Sequence, residues 1–307
     1  MSHKNVVILG GYGQVGTAIA RRLMRTDEFN AIQISRHQFD IRSIKSIEHI
    51  LTFCAKPFGP IHTVINCAAM TDVVACERDP QLAFETNAIG AMNVAKVCAS
   101  ESLPMIHFST DYVFDGAQIP TDGYEEMDRT FPVNAYGASK LAGENLIFNY
   151  YRHGLSTLYG AAIMRISHVF SSDYHLKNSV IDKIFNRLAS EFTVDMNDNI
   201  RFSLTYSSDL ADAVLAFLTR EKYQHGLYHV VNTGSPSIVE IAEFISQYAG
   251  FNNTINQINV PNQSSDVRRP QRTFLNTSWF EDQIGFHMPH WTVGVRAHID
   301  YMVANKH

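Results

Sequence analysis

The stretch that decides the fold is Val6-Val7-Ile8-Leu9-Gly10-Gly11-Tyr12-Gly13-Gln14-Val15-Gly16. Its first four residues form a short apolar run, which is typical of a buried strand in a parallel sheet. Glycines then follow with the spacing G-x-x-G-x-x-G, and apolar residues recur at helical spacing from Val15 to Leu23. A glycine turn between a strand and a helix lets backbone N–H groups approach a pyrophosphate at the helix N-terminus. The stretch therefore predicts a dinucleotide site, and a purely structural turn is the alternative. The expected cofactor contacts are Gly10, Gly13, Gln14, Val15 and Gly16.

The alternation of strand and helix signals continues along the chain. Strands are predicted at Ala31–Ser35, Val64–Cys67, Pro104–Phe108, Ala161–Ile166 and Tyr228–Val231. Helices are predicted after Ser43, from Pro80 to Ala99, and from Ala135 to Tyr150. This order predicts an α/β fold, a Rossmann-type doubly wound parallel sheet with a smaller, interleaved C-terminal α/β substrate domain. The expected nucleotide domain is 1–170 plus about 207–232, and the substrate domain is about 171–206 plus 233–307.

Composition excludes several classes of protein. The chain has 307 residues, 45% of them hydrophobic and 18% charged, and its net charge is 25 − 30 = −5 with histidine neutral. No basic field favours nucleic acid or an anionic membrane as a partner, and no apolar run is long enough to span a bilayer. The N-terminus lacks the features of a signal peptide, so a cytoplasmic protein with four reduced cysteines is expected. The 14 histidines show no metal-ligand spacing, so no metal is predicted.

The end of the second predicted strand discriminates between cofactors. An acidic residue there would hold the ribose hydroxyls of NAD, but this chain has Arg36, which suits a 2′-phosphate. We therefore expect NADPH, with NADH possible and a solvated surface arginine as the alternative. Asp40 and Ile41 are expected near the adenine, or Asp40 only marks a helix start. After the third strand, the small residues of Cys67-Ala68-Ala69 would let a cofactor lie close, unless they serve only tight packing.

A tyrosine and a lysine four residues apart carry the predicted chemistry. Tyr136 and Lys140 share one face of the helix that begins near Ala135. A nearby ammonium favours tyrosinate, so the pair is suited to exchange a proton with a carbonyl or alcohol oxygen. Thr110 follows the fourth strand, at the sheet edge where such folds bind ligands, and its hydroxyl is expected to bond the substrate oxygen. The alternatives are a surface i,i+4 pair and a capping hydroxyl.

These motifs together resemble the extended short-chain dehydrogenase/reductases, and more narrowly the dTDP-4-dehydrorhamnose reductase family. The resemblance extends from Val6 to about Val295, and STDYVFDG followed by YGASKLAGE is its sharpest part. The other matching segments are GGYGQVG, VINCAAMTDVVACERDP, ETNAIGAMNVA, SSDLADAV, GLYHVVNTGS and RRPQRTFL. The resemblance implies an NADPH-dependent reductase of a nucleotide-linked 4-keto-6-deoxy sugar, with the nucleotide sugar as its partner and a homodimer possible.

The resemblance also implies residue roles. Tyr136 matches the general acid, Lys140 the lysine that binds the nicotinamide ribose and lowers the tyrosine pKa, and Thr110 the residue that bonds the keto group. Asn87 matches the asparagine that supports the lysine, or it is a buried amide at a helix bend. Ala68, Ala69 and Thr71 match the stretch beside the cofactor. The substrate contacts implied are Asp72, Val73, Thr110, Asp111, His168 and Arg269.

One departure from the family bears on the sugar. Where these reductases typically have a tryptophan that lines the sugar pocket, this chain has His168, within Arg165-Ile166-Ser167-His168-Val169-Phe170. Histidine offers hydrogen bonds and less apolar area, which can change which hexose fits, although a neutral swap with repacking is also open. Two other functions remain open as well. They are a non-catalytic NADP-binding regulatory subunit resembling the methionine adenosyltransferase β-subunit, and an NAD-dependent nucleotide-sugar epimerase.

Overall fold

A computed structural model of the chain describes residues 3–117, 120–153, 160–172, 179–220, 225–259 and 267–304. Its centre is a six-stranded parallel sheet with the strand order β10-β5-β4-β3-β1-β2. The strands are β1 (Lys4–Leu9), β2 (Phe29–Ile34), β3 (Ile61–Asn66), β4 (Met105–Thr110), β5 (Ala161–Ile166) and β10 (Gly226–His229). The order reverses between β1 and β3, which places a crevice for ligands at the carboxyl ends of these strands.

Helices cover both faces of this sheet because side chains alternate along each strand. Val6 and Ile8 of β1 pack in the core beneath α1 (Gln14–Leu23) and α8 (Ser207–Leu218). Val7 and Leu9 pack in the opposite core beneath α2 (Ile44–Phe58) and α5 (Ala91–Ser100). Ser43 caps α2 by accepting a hydrogen bond from Ser46 N, as the sequence predicts. The predicted doubly wound α/β fold is confirmed.

A third core lies in the C-terminal part of the chain. It is formed mainly by α7 (Val180–Ser190), α9 (Ile238–Ala249) and α11 (Trp291–Ala304). Three parallel strand pairs accompany it. They are β6 (Val169–Phe170) with β9 (Thr205–Tyr206), β7 (Thr193–Asn197) with β11 (Thr254–Ile258), and β8 (Arg201–Phe202) with β12 (Arg272–Thr273). Between α7 and α9 the chain returns to the main sheet through α8 and β10, so this part is interleaved with the nucleotide half. The short helix α10 (Ser278–Ile284) also packs on the main sheet.

The single helix predicted from Pro80 to Ala99 is wrong. Here the chain forms α4 (Pro80–Phe84), a π-helical turn (Glu85–Gly90) and then α5, and it is preceded by the short helix α3 (Val73–Arg78). The π-helical turn holds Asn87, whose side chain bonds the backbone of Met70 outside the helix. Turns of this kind are frequent at functional sites, and this one faces the helix that carries Tyr136 and Lys140, α6 (Ala135–His153).

Candidate active site

The glycine turn has the geometry that a pyrophosphate needs. Gly10 has φ +73, and a Cβ there would lie 2.9 Å from the backbone N of Ala68. A Cβ on Gly16 would lie 2.7 Å from Gly11 Cα, so helix α1 can approach the turn only with glycine at this position. α1 starts after Gly13 with no side-chain cap, and its first residues are Gln14 and Val15. The uncapped N–H groups and their partial positive charge fit a cofactor pyrophosphate.

The three residues expected around the adenosine differ in their exposure and in the groups that they contact. Arg36 is exposed just after β2, where a 2′-phosphate would be read. Asp40 is engaged by Arg42, whose guanidinium lies 2.9 Å from its carboxylate, and hydrogen bonds from Arg42 lower the pKa of Asp40. Ile41 is buried in the core and packs against Gly90, so its side chain is not presented to a ligand.

The loop after β3 runs along the crevice beside Gly10. Ala68 N donates to Asn66 Oδ1 at 3.1 Å, which fixes the start of this loop, and Ala69 is half-buried while Thr71 is exposed. Burial raises the pKa of the Cys67 thiol, so this cysteine is an inert neighbour of the site. Asp72 caps α3 by accepting from Val74 N at 2.9 Å and Ala75 N at 3.0 Å, and Val73 is the first residue of that helix.

Asn87 forms hydrogen bonds with the loop after β3 and with α6. Its Oδ1 accepts from Met70 N at 2.8 Å, and its Nδ2 donates to Met70 O and to Ser139 Oγ, each at 2.9 Å. Ser139 precedes Lys140 on α6, and these bonds fit the alternative of a buried amide at a helix bend, while support of the lysine through backbone or water stays a prediction. The bonds of Asn87 tie the loop after β3 to α6, which carries the tyrosine and the lysine.

Thr110 and Tyr136 meet where β4 ends and α6 begins. Thr110 is buried; its Oγ1 accepts from Tyr112 N and donates to Asp111 Oδ1, each at 3.2 Å. α6 comes this close because a Cβ on Gly137 would lie only 2.1 Å from Tyr112 O. Burial raises the pKa of Tyr136, and a hydrogen bond with Thr110 opposes only part of that rise. The phenol is thus held protonated beside a hydroxyl, as a general acid requires.

Lys140 is buried one helical turn beyond Tyr136. Its Nζ lies 2.6 Å from Phe108 O and 3.2 Å from His107 Nε2. Burial lowers the pKa of Lys140 to about 8. Without ligand the pKa of Tyr136 lies above its ordinary value because of burial, and the lowering expected from Lys140 together with an oxidised nicotinamide stays a prediction. The lysine contacts β4 rather than the phenol.

A second set of polar and aromatic groups surrounds the other side of Thr110. Asp111 is buried; its carboxylate accepts hydrogen bonds from Thr273 Oγ1 and Thr110, and Oδ2 lies 4.0 Å from His168 Nδ1. Burial raises the pKa of Asp111, and these partners oppose the rise. His168 stacks on Phe202 with ring centroids 3.8 Å apart.

His168 and Arg269 both belong to this side of the site. His168 has φ +35, an unusual backbone conformation for a residue other than glycine, and such strain is concentrated at functional positions. Burial lowers the pKa of His168, the negative charge of Asp111 raises it, and the charge of Arg269 lowers it. Arg269 also lowers the pKa of Tyr112 against a larger rise from burial. The exposed Arg269 thus lies close to the predicted sugar pocket.

Sequence reasoning missed three groups that complete the site. His107 and Asn66 contact Lys140 directly or in series, and Thr273 reaches Asp111 from β12. A polar residue inside the apolar run of β4 is the one local signal for His107. Thr273 carries no such signal, because it lies 162 residues from its partner.

Neither a metal centre nor a membrane-spanning helix is found among the described residues. Among them, no group of three or more His, Cys, Asp and Glu side chains is placed to hold a metal ion. No helix in the described part of the chain combines the length and apolar character needed to cross a bilayer.

The chain is similar to known proteins of one family along nearly its whole length. The family described as RmlD substrate binding domain matches residues 4–304. The chain belongs to this family. Membership of the RmlD family confirms the resemblance to the extended short-chain dehydrogenase/reductases and the assignment as an oxidoreductase.

Individual RmlD relatives are similar along nearly their whole length. The chain is 30% identical over 304 residues to the dTDP-4-dehydrorhamnose reductase of Escherichia coli K12, covering 95% of this chain and 96% of that one. It is 28% identical over 295 residues to the probable low-salt glycan biosynthesis reductase Agl14 of Haloferax volcanii, covering 92% and 93%. The crystal structure of dTDP-4-dehydrorhamnose reductase from Bacillus anthracis in complex with NADP superposes with a TM-score of 0.84 at 26% identity, covering 97% and 99%.

Proposed function

We propose that this protein is an NADPH-dependent reductase of a nucleotide-linked 4-keto-6-deoxy sugar. The observation that carries the proposal is the meeting of Thr110, Tyr136 and Lys140 at the carboxyl edge of a parallel sheet, beside a glycine turn suited to a pyrophosphate. Relatives that align over the same length include enzymes named dTDP-4-dehydrorhamnose reductase. Open α/β sheets bind ligands at this edge, so cofactor and sugar would share one crevice.

Each residue of the site has a separate role in the proposed reduction. Bound NADPH supplies a hydride to C4 of the sugar. Tyr136 donates its phenolic proton to the C4 oxygen as that oxygen gains negative charge, and Thr110 donates a hydrogen bond to the same oxygen. Lys140 binds the nicotinamide ribose and stabilises the tyrosinate that remains. Asn87 holds Ser139 and the loop after β3, which fixes the start of α6.

We place the cofactor along the glycine turn and the loop after β3. Gly10, Gly13 and Gly16 receive the pyrophosphate with Gln14 and Val15, and Arg36 binds the 2′-phosphate. The relative from Bacillus anthracis whose structure contains NADP supports NADPH, and NAD-bound structures of the same fold keep NADH open. Asp40 and Ile41 carry less weight than the sequence suggested, because each is occupied by protein contacts.

We place the sugar between the nucleotide half and the C-terminal part. Asp111, His168 and Arg269 lie around this side of Thr110, and Asp72 and Val73 start the helix at its border. We assign 1–170 plus about 207–232 to the nucleotide domain, and about 171–206 plus 233–307 to the substrate domain, since the third hydrophobic core lies in the latter. We propose a cytoplasmic enzyme, and its net charge of −5 favours neither nucleic acid nor an anionic membrane as its partner.

A coupled assay tests the proposal. Purified protein is mixed with NADPH and a panel of dTDP- and UDP-linked 4-keto-6-deoxy sugars, and both loss of NADPH absorbance and the sugar product are measured. We expect stoichiometric oxidation of NADPH and formation of the 4-hydroxy sugar with at least one substrate. Tight NADPH binding without turnover on any sugar would favour the regulatory subunit. Interconversion of sugars without net oxidation of the cofactor would favour the epimerase.

A further inference from the structure

Lys140 ends a buried row of polar side chains. The other members of the row, His107 and Asn66, have no role in the proposed reaction. Lys140 Nζ lies 3.2 Å from His107 Nε2, and His107 Nδ1 lies 3.0 Å from Asn66 Nδ2. Lys140, His107 and Asn66 are exposed by only 2%, 1% and 1%. Buried polar groups are costly unless each donor meets an acceptor, so the direction of every hydrogen bond in this row can be worked out.

The direction of the hydrogen bonds in this row is set by the side-chain amide of Asn66. Asn66 Oδ1 accepts from Ala68 N at 3.1 Å, and the reversed amide would set an NH₂ group against that N–H. Asn66 therefore presents Nδ2–H to His107, and Nδ1 of His107 must accept. Burial holds the pKa of His107 well below its ordinary value, so its ring is neutral. A neutral imidazole with an accepting Nδ1 carries its proton on Nε2.

Nε2–H of His107 then points at Lys140. An ammonium there would set donor against donor at 3.2 Å, whereas a neutral amine accepts from Nε2–H and still donates to Phe108 O at 2.6 Å. We propose that Asn66 and His107 are positioning residues that fix the His107 tautomer and thereby hold Lys140 as a hydrogen-bond-accepting amine in the ligand-free enzyme at mildly alkaline pH. The proposal rests on the proposed function only in assigning Lys140 to the active site.

The charges around Lys140 fit this state. Burial lowers the pKa of Lys140 to about 8, while Glu144 on the same helix and Cys67 at the end of β3 raise it. Glu144 is itself bound by the buried Arg165, with 2.7 Å between Nη2 and Oε2, which weakens its pull on the lysine. Burial raises the pKa of Cys67, so the thiol stays neutral. From the β4 side the facing group is His107, which is neutral.

This arrangement has a consequence for the reaction. Lys140 gains a proton from solvent when ribose hydroxyls offer it acceptors in place of Nε2–H. The ammonium so formed favours the tyrosinate left after Tyr136 has given its proton to the sugar oxygen. The ligand-free enzyme thereby avoids an uncompensated buried charge, and the charge appears where the chemistry uses it.

Nuclear magnetic resonance of the ligand-free, full-length protein tests the proposal directly. Long-range ¹H–¹⁵N spectra report which imidazole nitrogen carries the proton, and the ¹³Cε shift of labelled lysine follows the titration of its amine. Loss of the signal in His107→Gln and in Lys140→Met assigns each resonance. We expect the Nε2–H tautomer for His107 and a Lys140 titration midpoint near about 8 rather than the ordinary value of about 10.4, so that the amine is the major form above that midpoint.

The variant Asn66→Asp is expected to reverse the direction of the hydrogen bonds along this row. In Asn66→Asp the carboxylate still accepts from Ala68 N–H and also accepts from Nδ1–H, so Nε2 becomes an acceptor for an ammonium. We expect the His107 signal to change to the Nδ1–H pattern and the Lys140 midpoint to rise by about one unit, a tenfold change in the ionisation constant. His62→Gln, at the opposite end of β3, is the control and leaves both signals in place.

The outcomes separate this proposal from the proposed function. An Nδ1–H tautomer in the unmodified protein, or a Lys140 midpoint near 10, overturns it, whether or not the variant folds. Because no cofactor or sugar is present, a sugar panel without turnover would remove the proposed function and leave the tautomer result standing.

Discussion

Thr273 donates a hydrogen bond to the buried carboxylate of Asp111. Thr273 lies on β12 in the C-terminal part of the chain, and Asp111 follows directly after Thr110 at the end of β4. One carboxylate therefore connects the hydroxyl proposed to bond the sugar oxygen with the region proposed to hold the sugar. Asp111 thus joins β12 to Thr110 by two hydrogen bonds.

The hydroxyl of Tyr136 is the group whose loss most directly tests the proposed chemistry. In Tyr136→Phe we expect turnover to fall about 10²- to 10⁴-fold, the usual contribution of a positioned proton donor, while NADPH binding is retained. Stopped-flow oxidation of NADPH and fluorescence titration of the cofactor measure the two effects. Tyr151→Phe is a matched control on the same helix, since that hydroxyl has no partner among the described residues. A Tyr136→Phe enzyme with full turnover would remove the proposed role.

Arg36 tests the choice of cofactor. Loss of a charged hydrogen bond to the 2′-phosphate costs about 1.5–3 kcal/mol, so Arg36→Ala is expected to raise the KM for NADPH by about tenfold or more. The KM for NADH should stay nearly constant, since that cofactor has no 2′-phosphate. Arg42→Ala is the control, because Arg42 is exposed nearby but bound to Asp40. Equal losses with both cofactors would show that Arg36 does not read the phosphate.

Patterns within a few residues of sequence were sufficient to predict several parts of the site. The glycine turn, the i,i+4 spacing of Tyr136 and Lys140, and the position of Thr110 after a buried strand all follow from periodicity and turn chemistry. The doubly wound parallel sheet followed from the alternation of strands and helices and the right-handed crossover rule. These features are set by neighbours a few residues away, which a single sequence displays.

The remaining features depend on distant partners. The π-helical turn forms where Asn87 bonds Met70, 17 residues earlier, and no helical propensity predicts that bond. The partners of Lys140 lie on β4, so its burial and its lowered pKa appear only once α6 packs on the sheet. The same packing buries Tyr136 and raises its pKa in the absence of ligand, so the lowering expected from Lys140 and an oxidised nicotinamide stays a prediction. Four residues of spacing bring two side chains to one face, but packing decides what each contacts.

Asp182 gives a stability prediction with a definite pH dependence. It is held by His298 Nε2 at 2.9 Å and Ser179 N at 2.8 Å. Burial raises the pKa of Asp182, but these hydrogen bonds outweigh it and the net pKa is lowered. The ionised carboxylate therefore stabilises the fold above about pH 4, the ordinary value for Asp, and this contribution is lost as pH falls through the lower folded pKa.

We expect Asp182→Asn to reduce the free energy of unfolding by about 1–3 kcal/mol at pH 7, and by less as the pH approaches 3. Thermal unfolding at both pH values measures the difference. Asp300→Asn is the control, since that exposed carboxylate on α11 accepts only from the phenol of Tyr248 among the bonds described. A deficit that is equal at pH 7 and pH 3 would contradict the assignment to the ionised carboxylate.

His168 tests which feature of the pocket selects the sugar. Its ring stacks on Phe202 at 3.8 Å, and its Nδ1 lies 3.0 Å from Ser167 Oγ and 4.0 Å from Asp111 Oδ2. His168→Trp keeps an aromatic ring for the stack but adds apolar area and removes the imidazole. If the imidazole bonds a sugar hydroxyl, the variant leaves that hydroxyl unpaired at a cost of about 1–3 kcal/mol.

We therefore expect kcat/KM for the preferred sugar to fall about tenfold or more in His168→Trp, with a smaller change for sugars that lack the bonded hydroxyl. Competition between pairs of 4-keto sugars measures the ratio directly, and NADPH titration checks that the cofactor site is intact. His168→Gln separates the two contributions, because it keeps hydrogen-bonding groups and loses the stack. A loss that is uniform across all sugars in His168→Trp would mean that His168 shapes the pocket without selecting its occupant.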